Sequence, residues 1–131
     1  MINAYDSQVR HVLLDVPHSA NAKPSWYGES VGHYEGDALV IDTIGLNRKT
    51  FVDAYRTPHS EKLHVVERWQ VIDAGMGLEA RISVEDPDIY FQPWQADLRY
   101  RRNPQPLQEQ VCAENNLQFD YHMPTANTPD F

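Results

Sequence analysis

Cysteine is all but absent. Cys112 alone excludes an intrachain disulfide and any metal or iron–sulfur site built from several thiolates. It closes an apolar stretch and reads as a plain buried thiol. Basic residues are also scarce, 11 against 19 acidic ones for a formal charge of −8. Such a chain repels phosphate backbones unless its basic groups gather in one patch. The one cluster, Arg99, Arg101 and Arg102 around Tyr100, reads as a solvated strand edge, so nucleic acid is not an expected partner. No apolar run approaches the ~18 residues that span a bilayer, and the N-terminal stretch lacks a signal peptide's charged start and apolar centre. The expectation is a soluble protein with no membrane partner, cytoplasmic as given and periplasmic if an export leader was removed.

Signature motifs are missing too. There is no G-x-S-x-G elbow, no G-x-x-x-x-G-K-S/T phosphate loop, no G-x-G-x-x-G fingerprint and no H-E-x-x-H. Nor does any convincing amphipathic helix separate the apolar segments. What is present is a chain of 131 residues, 41% apolar and 23% charged, with nine prolines and six glycines. That is one domain with a single core, built from short strands and turns.

The organising stretch is Pro58–Asp73, PHSEKLHVVERWQVID. From Leu63 onward, alternation puts Leu63, Val65, Glu67, Trp69 and Val71 on one face, and His64, Val66, Arg68, Gln70 and Ile72 on the other. Glu67 therefore falls in the more apolar row, where a carboxylate is costly unless paired, hydrogen-bonded or protonated. The same desolvation is what tunes a general acid or base.

Before this strand, Val9–Val16 reads as a first strand ended by Pro17, and His18–Ser30 as a long loop carrying Trp26 and Tyr27. Glu35-Gly36-Asp37 turns a hairpin between Ser30–Tyr34 and Ala38–Ile44. Asp42 shares a face there with Val40 and Ile44, and its bland reading is an Asp accepting loop amides near Thr43 and Gly45. Leu46–Thr57 reads as a loop with one helical turn. After the central strand, Ala74–Gly77 turns into Leu78–Val84, then come Trp94–Arg101 and Leu107–Ala113, with a tail over 117–131. These strands suggest an all-β antiparallel meander of about seven strands closing into a small lipocalin-like barrel, with a sandwich as the alternative. The domain spans 1–131.

If the apolar rows line one interior, Asp42, Glu67 and Glu109 point into it. Two carboxylates in unlike settings suffice for general acid–base chemistry on a small organic molecule. The expected catalytic set is Glu67 as acid or base, Asp42 as its partner, and His64 or His59 as polariser or proton shuttle. Trp26, Tyr34, Trp69, Tyr90 and Trp94 supply the pocket walls. The function is then that of a lyase, isomerase or hydrolase acting on a compact, largely apolar substrate, and the alternative is a non-catalytic barrel holding a small hydrophobic ligand. A third reading places a transition metal on His59, His64 and Glu67. Strand geometry opposes it, because His64 and Glu67 project to opposite faces; no cofactor is otherwise expected. His11, His18, His33 and His122 read as surface or hydrogen-bonding residues. An edge strand and a long tail suggest a homodimer.

The segments SWYGESVGHYEGDALVIDTIGLN, PHSEKLHVVERW, VEDPDIYFQPW and CAENN occur in this order. Over roughly residues 9–120 the chain thereby resembles a widespread, uncharacterised β-rich bacterial family with the patterns G-x-W-E-G-D-T-L-V-V-D-T, P-H-S-x-x-L-H-V-x-E-R and C-x-E-N-N. Tyr34 and Ala38 stand where that family usually has Trp and Thr, and Ala113 stands where Glu is common. The resemblance implies that Glu35, Asp37, Asp42, Thr43, Asn47, His59, His64, Glu67, Arg68, Trp94, Glu114 and Asn115 lie on the family's motifs. It also implies likeness to the C-terminal portion of longer members that begin with an export leader. It implies no substrate.

Overall fold

Alternating apolar residues bounded by glycine-rich turns give what this pattern demands, a sheet whose two faces differ in polarity. The computed structural model describes residues 2–3 and 8–105. Its strands are β1 (Ile2–Asn3), β2 (Gln8–Val9), β3 (Val12–Leu14), β4 (Glu29–Glu35), β5 (Ala38–Ile44), β6 (His64–Ile72), β7 (Gly77–Glu85) and β8 (Trp94–Arg101). β1 and β2 form a small antiparallel pair, and β3 to β8 form one sheet in sequence order. No helix among the described residues is long and apolar enough to cross a membrane.

Two expectations change. The first strand, read as unbroken over Val9–Val16, is divided into β2 and β3, with Arg10 and His11 in the break. The sheet is also mixed and not purely antiparallel, because β3 runs parallel to β4. The long 15–28 connection permits this, whereas a two-residue turn forces antiparallel neighbours. The sheet is not closed into a barrel among the described residues, and β3 and β8 are its edges. The expected strand Leu107–Ala113 and the tail over 117–131 lie outside the described residues.

The hairpin β4–β5 turns at Gly36-Asp37, with Gly36 at φ +59°, a backbone region open to glycine at little cost. β6 passes to β7 through a tight 3₁₀ turn at Asp73–Gly75. The expected strand over Trp94–Arg101 is found with those bounds. Leu46–Thr57 contains turns but no helix.

Cross-strand register decides which residues share a face. One row runs Ser30, Thr43, Val65, Val84, Trp94; the next runs Gly32, Ile41, Glu67, Ile82, Ala96; the third runs Tyr34, Leu39, Trp69, Ala80, Leu98. These rows form the inner face. Its core is Ile41, Trp69 and Ala80, with Val12, Leu39, Leu78 and Ile82 packed against them. Trp69 stacks on Tyr100 at a centroid distance of 5.8 Å, which adds about 0.5–1.5 kcal/mol beyond the buried area. The outer face carries the alternate residues, among them Val31, Asp42, Val66 and Ser83 in one row. Much of it is solvated ion pairs, including Arg81–Asp97, Arg99–Glu79 and Arg68–Glu35.

Candidate functional site

On the inner face, at the end of the sheet nearest the 46–60 loop, lies an open cleft of about 770 Å³. Val65, Val84, Ala96 and Leu98 of the sheet form its floor, and Trp26, Tyr27, Phe51, Leu63 and Trp94 enclose it. Arg10, Thr50, Asp53, His59 and Glu67 are its principal polar and charged lining residues. Few polar groups in an aromatic cleft is the usual make-up of a small-molecule site.

Local chain geometry places each wall. Gly28 has φ +65°, and a Cβ there would meet the carbonyl oxygen of Ile44 at 2.4 Å. Only glycine allows this approach, which brings the Trp26-Tyr27 loop down on the start of the next connection. Backbone hydrogen bonds from Ser25 to Gly45 (2.9 Å) and from Asn47 to Ser25 (2.8 Å) hold the two together. Asp53 organises the loop bearing Phe51 by accepting from the Tyr55 and Thr57 amides and the Thr57 hydroxyl. The Thr57 bonds, foremost its hydroxyl, lower the Asp53 pKa below the usual carboxylate value.

The loop's far end is pinned by a buried carboxylate. Asp86, 1% exposed, accepts the Ser60 amide at 2.5 Å, the Ser60 hydroxyl at 2.8 Å and the Asp88 amide at 3.1 Å. Burial opposes its charge, yet these donors outweigh it and lower its pKa. Tyr90 donates to the Pro58 carbonyl at 2.9 Å and meets Trp94 edge-on. Tyr90 therefore clamps the loop behind Trp94.

Glu67 is the buried carboxylate of this cleft. It is 7% exposed, and its Oε2 lies 2.6 Å from Nη1 of Arg10. Arg10 sits in the break between β2 and β3, so the interruption of the first strand is what supplies the ion-pair partner. His59 lines the same cleft and is buried. Its Nδ1 faces the Ser60 carbonyl at 2.8 Å and its Nε2 faces the Thr50 hydroxyl at 2.7 Å. With both nitrogens engaged inside the protein, His59 ties the loop to the cleft wall.

The other expected catalytic residues are elsewhere. Asp42 pairs across the sheet with Val66, while Glu67 pairs with Ile41; one residue of offset puts the two carboxylates on opposite faces. Asp42 is not Glu67's partner. His64 is likewise on the outer face, so the set His59, His64 and Glu67 does not converge. Of the expected aromatic walls, Trp26 and Trp94 line the cleft. Tyr34 and Trp69 line a second, smaller depression at the opposite end of the inner face. Glu109, Glu114 and Asn115 lie outside the described residues.

Asp42 and His64 are instead brought together with His18, read from the sequence as a surface or hydrogen-bonding residue, and Glu29, which the sequence did not single out. Asp42 Oδ1 lies 2.9 Å from His64 Nε2 and 3.0 Å from His18 Nε2. His18 Nδ1 lies 3.0 Å from Glu29 Oε1. Glu29 in turn accepts the Ser19 amide at 2.7 Å and its hydroxyl at 2.6 Å. Register explains three of the four. Glu29 is two residues before Val31, and His64 two before Val66, so both are diagonal neighbours of Asp42 on the outer face. His18 arrives by the path of the 15–28 loop, which no periodicity encodes. Burial opposes charge on His18, but hydrogen bonds to Asp42 and Glu29 prevail and raise its pKa. Glu29 is shifted down, chiefly by Ser19. Among the described residues, no group of three or more His, Cys, Asp or Glu side chains is arranged to hold a metal ion.

No family model, curated protein or solved structure matches this chain. Function therefore rests on the side chains themselves.

Proposed function

We propose that the inner cleft binds a compact, largely apolar organic molecule, held against Trp26, Phe51 and Trp94 with one polar group turned toward the Arg10–Glu67 pair. The observation that carries this reading is the pair itself, a carboxylate 7% exposed at the floor of an aromatic cleft of about 770 Å³. Apolar walls supply affinity and the few polar atoms fix orientation. In the same reading the sheet is one wall of a small lipocalin-like barrel.

A second function follows from the same carboxylate. Glu67 faces the space a ligand fills, so a bound molecule presenting an acidic C–H or O–H places its proton beside a general base. The reaction would be that of a lyase, isomerase or hydrolase, with Arg10 stabilising developing negative charge. Asp42 and His64 have no part in it.

Naphthol, planar and apolar with one hydroxyl, is a suitable probe. Quenching of tryptophan fluorescence should report saturable binding. Glu67→Gln should weaken it about tenfold, the scale of a lost hydrogen bond to a charged group, and Trp94→Ala should weaken it further. Binding that survives both substitutions unchanged rejects the cleft as the site. A screen of small substrates in which wild-type turnover is found and Glu67→Gln retains it rejects the catalytic reading and leaves the binding one standing.

A further inference from the structure

The walls of the cleft are not chemically uniform. Resting on the reading of this cleft as a binding site, we propose that its ligand is an organic cation, with its apolar body against the sheet and a quaternary ammonium group held at the mouth by Trp26, Phe51 and Tyr55 beside Asp53.

The first argument is where the rings stand. The floor is aliphatic, Val65, Val84, Ala96 and Leu98 of β6, β7 and β8. Most of the aromatic lining comes instead from two connections, Trp26 and Tyr27 from the one before β4, Phe51 and Tyr55 from the one before β6. These four are 58%, 45%, 54% and 91% exposed. Aliphatic walls would serve a neutral apolar ligand equally well. Exposed rings gathered at one opening are what an ammonium ion recognises, through the negative face of each π system.

The second argument is charge. Histidine apart, the charged lining residues are one cation, Arg10, and two carboxylates, Asp53 and Glu67. Glu67 is matched by Arg10 at 2.6 Å. Asp53 accepts from neutral donors, the Tyr55 and Thr57 amides and the Thr57 hydroxyl. These favour its ionised form and leave its charge uncancelled. Arg48, Lys49 and Arg56 of the same connection are not among the lining residues.

The third argument concerns the kind of cation. A quaternary ammonium group carries no N–H, so Asp53 attracts it through charge alone and keeps the three bonds that order its loop. The formal charge of −8 draws such a ligand toward the protein and repels anions of similar shape. Because the mouth is open, the ammonium group keeps part of its hydration there. Each ring then adds only a few-fold in affinity, and selectivity comes from several rings acting together.

The test compares 3-hydroxyphenyltrimethylammonium with its neutral isostere 3-tert-butylphenol, which differ in charge and little else. In both, the hydroxyl is free to turn toward the Arg10–Glu67 pair. Calorimetric titration of the full-length chain at neutral pH should show the cation binding about tenfold more tightly, a margin that narrows in high salt. In Trp26→Leu, Tyr55→Leu and Asp53→Asn the ratio of the two affinities should each time fall to about threefold or less. The ratio is taken within each protein, so a loop change that weakens both ligands alike cancels. Equal or tighter binding of 3-tert-butylphenol by wild type, or a preference that survives all three substitutions, overturns the cationic ligand and leaves the cleft as a binding site. Failure of both compounds and of naphthol to bind overturns the reading of the cleft itself.

Discussion

The two faces of one sheet treat a carboxylate in opposite ways. On the inner face Glu67 is nearly inaccessible, meets one guanidinium and is surrounded by aromatic and aliphatic walls. On the outer face Asp42 is over a third exposed, and one of its oxygens faces two imidazoles. The first arrangement binds fold and cleft together, since removing Arg10 strands the Glu67 carboxylate in a poorly solvated place. The second is reachable by water and ions and contributes little to the core. The buried pair is thus coupled to stability, whereas the exposed cluster is not.

The sharpest way to break this comparison is Arg10→Met. Losing one partner of a buried pair costs about 3 kcal/mol or more, visible as an earlier urea midpoint. Adding Glu67→Met should recover much of that loss, because two well-packed apolar side chains replace the pair.

Next in size is Asp86, which fastens the cleft's loop. Asp86→Asn should cost about 1–3 kcal/mol near neutral pH. The sign of its pH dependence follows from its lowered pKa. Stabilisation by a carboxylate with a depressed folded value is complete above its unfolded pKa of about 3.8 and is lost as pH falls through the folded value. Wild type should therefore lose stability below about pH 4 more steeply than Asp86→Asn, as followed by thermal melts across acidic buffers.

On the outer face Asp42→Asn should change stability by about 1 kcal/mol or less, far less than the loss of Arg10. Smallest of all is Arg81→Ala. Its pair with Asp97 is exposed on both sides, so its loss should leave the urea midpoint almost unmoved, and wholly so in high salt.

The strands were legible where period and punctuation agreed. Gly36-Asp37 between apolar alternations gave the β4–β5 hairpin, and Trp94–Arg101 alternates cleanly from end to end. Glu67's apolar row was legible for the same reason. That Asp42 lies on the opposite face was not, because the sheet face of each depends on a register that shifts every side chain when it slips by one residue. Arg10 was hidden in a stretch that reads as continuous strand, and its partner lies 57 positions along the chain. His18 sits in a loop whose route over the outer face is set by Ser19, Glu29 and Asp42 together, a tertiary fact without a local signature. His59 was legible as a site residue, but its hydrogen-bond partners, the Thr50 hydroxyl and the Ser60 carbonyl, were not.

The most direct test of the account is naphthol titration of three proteins side by side: wild type, Glu67→Gln and Asp42→Asn. Weakening of about tenfold in Glu67→Gln, with wild-type affinity in Asp42→Asn, is the expected result and assigns the ligand to the inner face alone. Equal weakening by Asp42→Asn would contradict the separation of the two faces on which the functional reading stands.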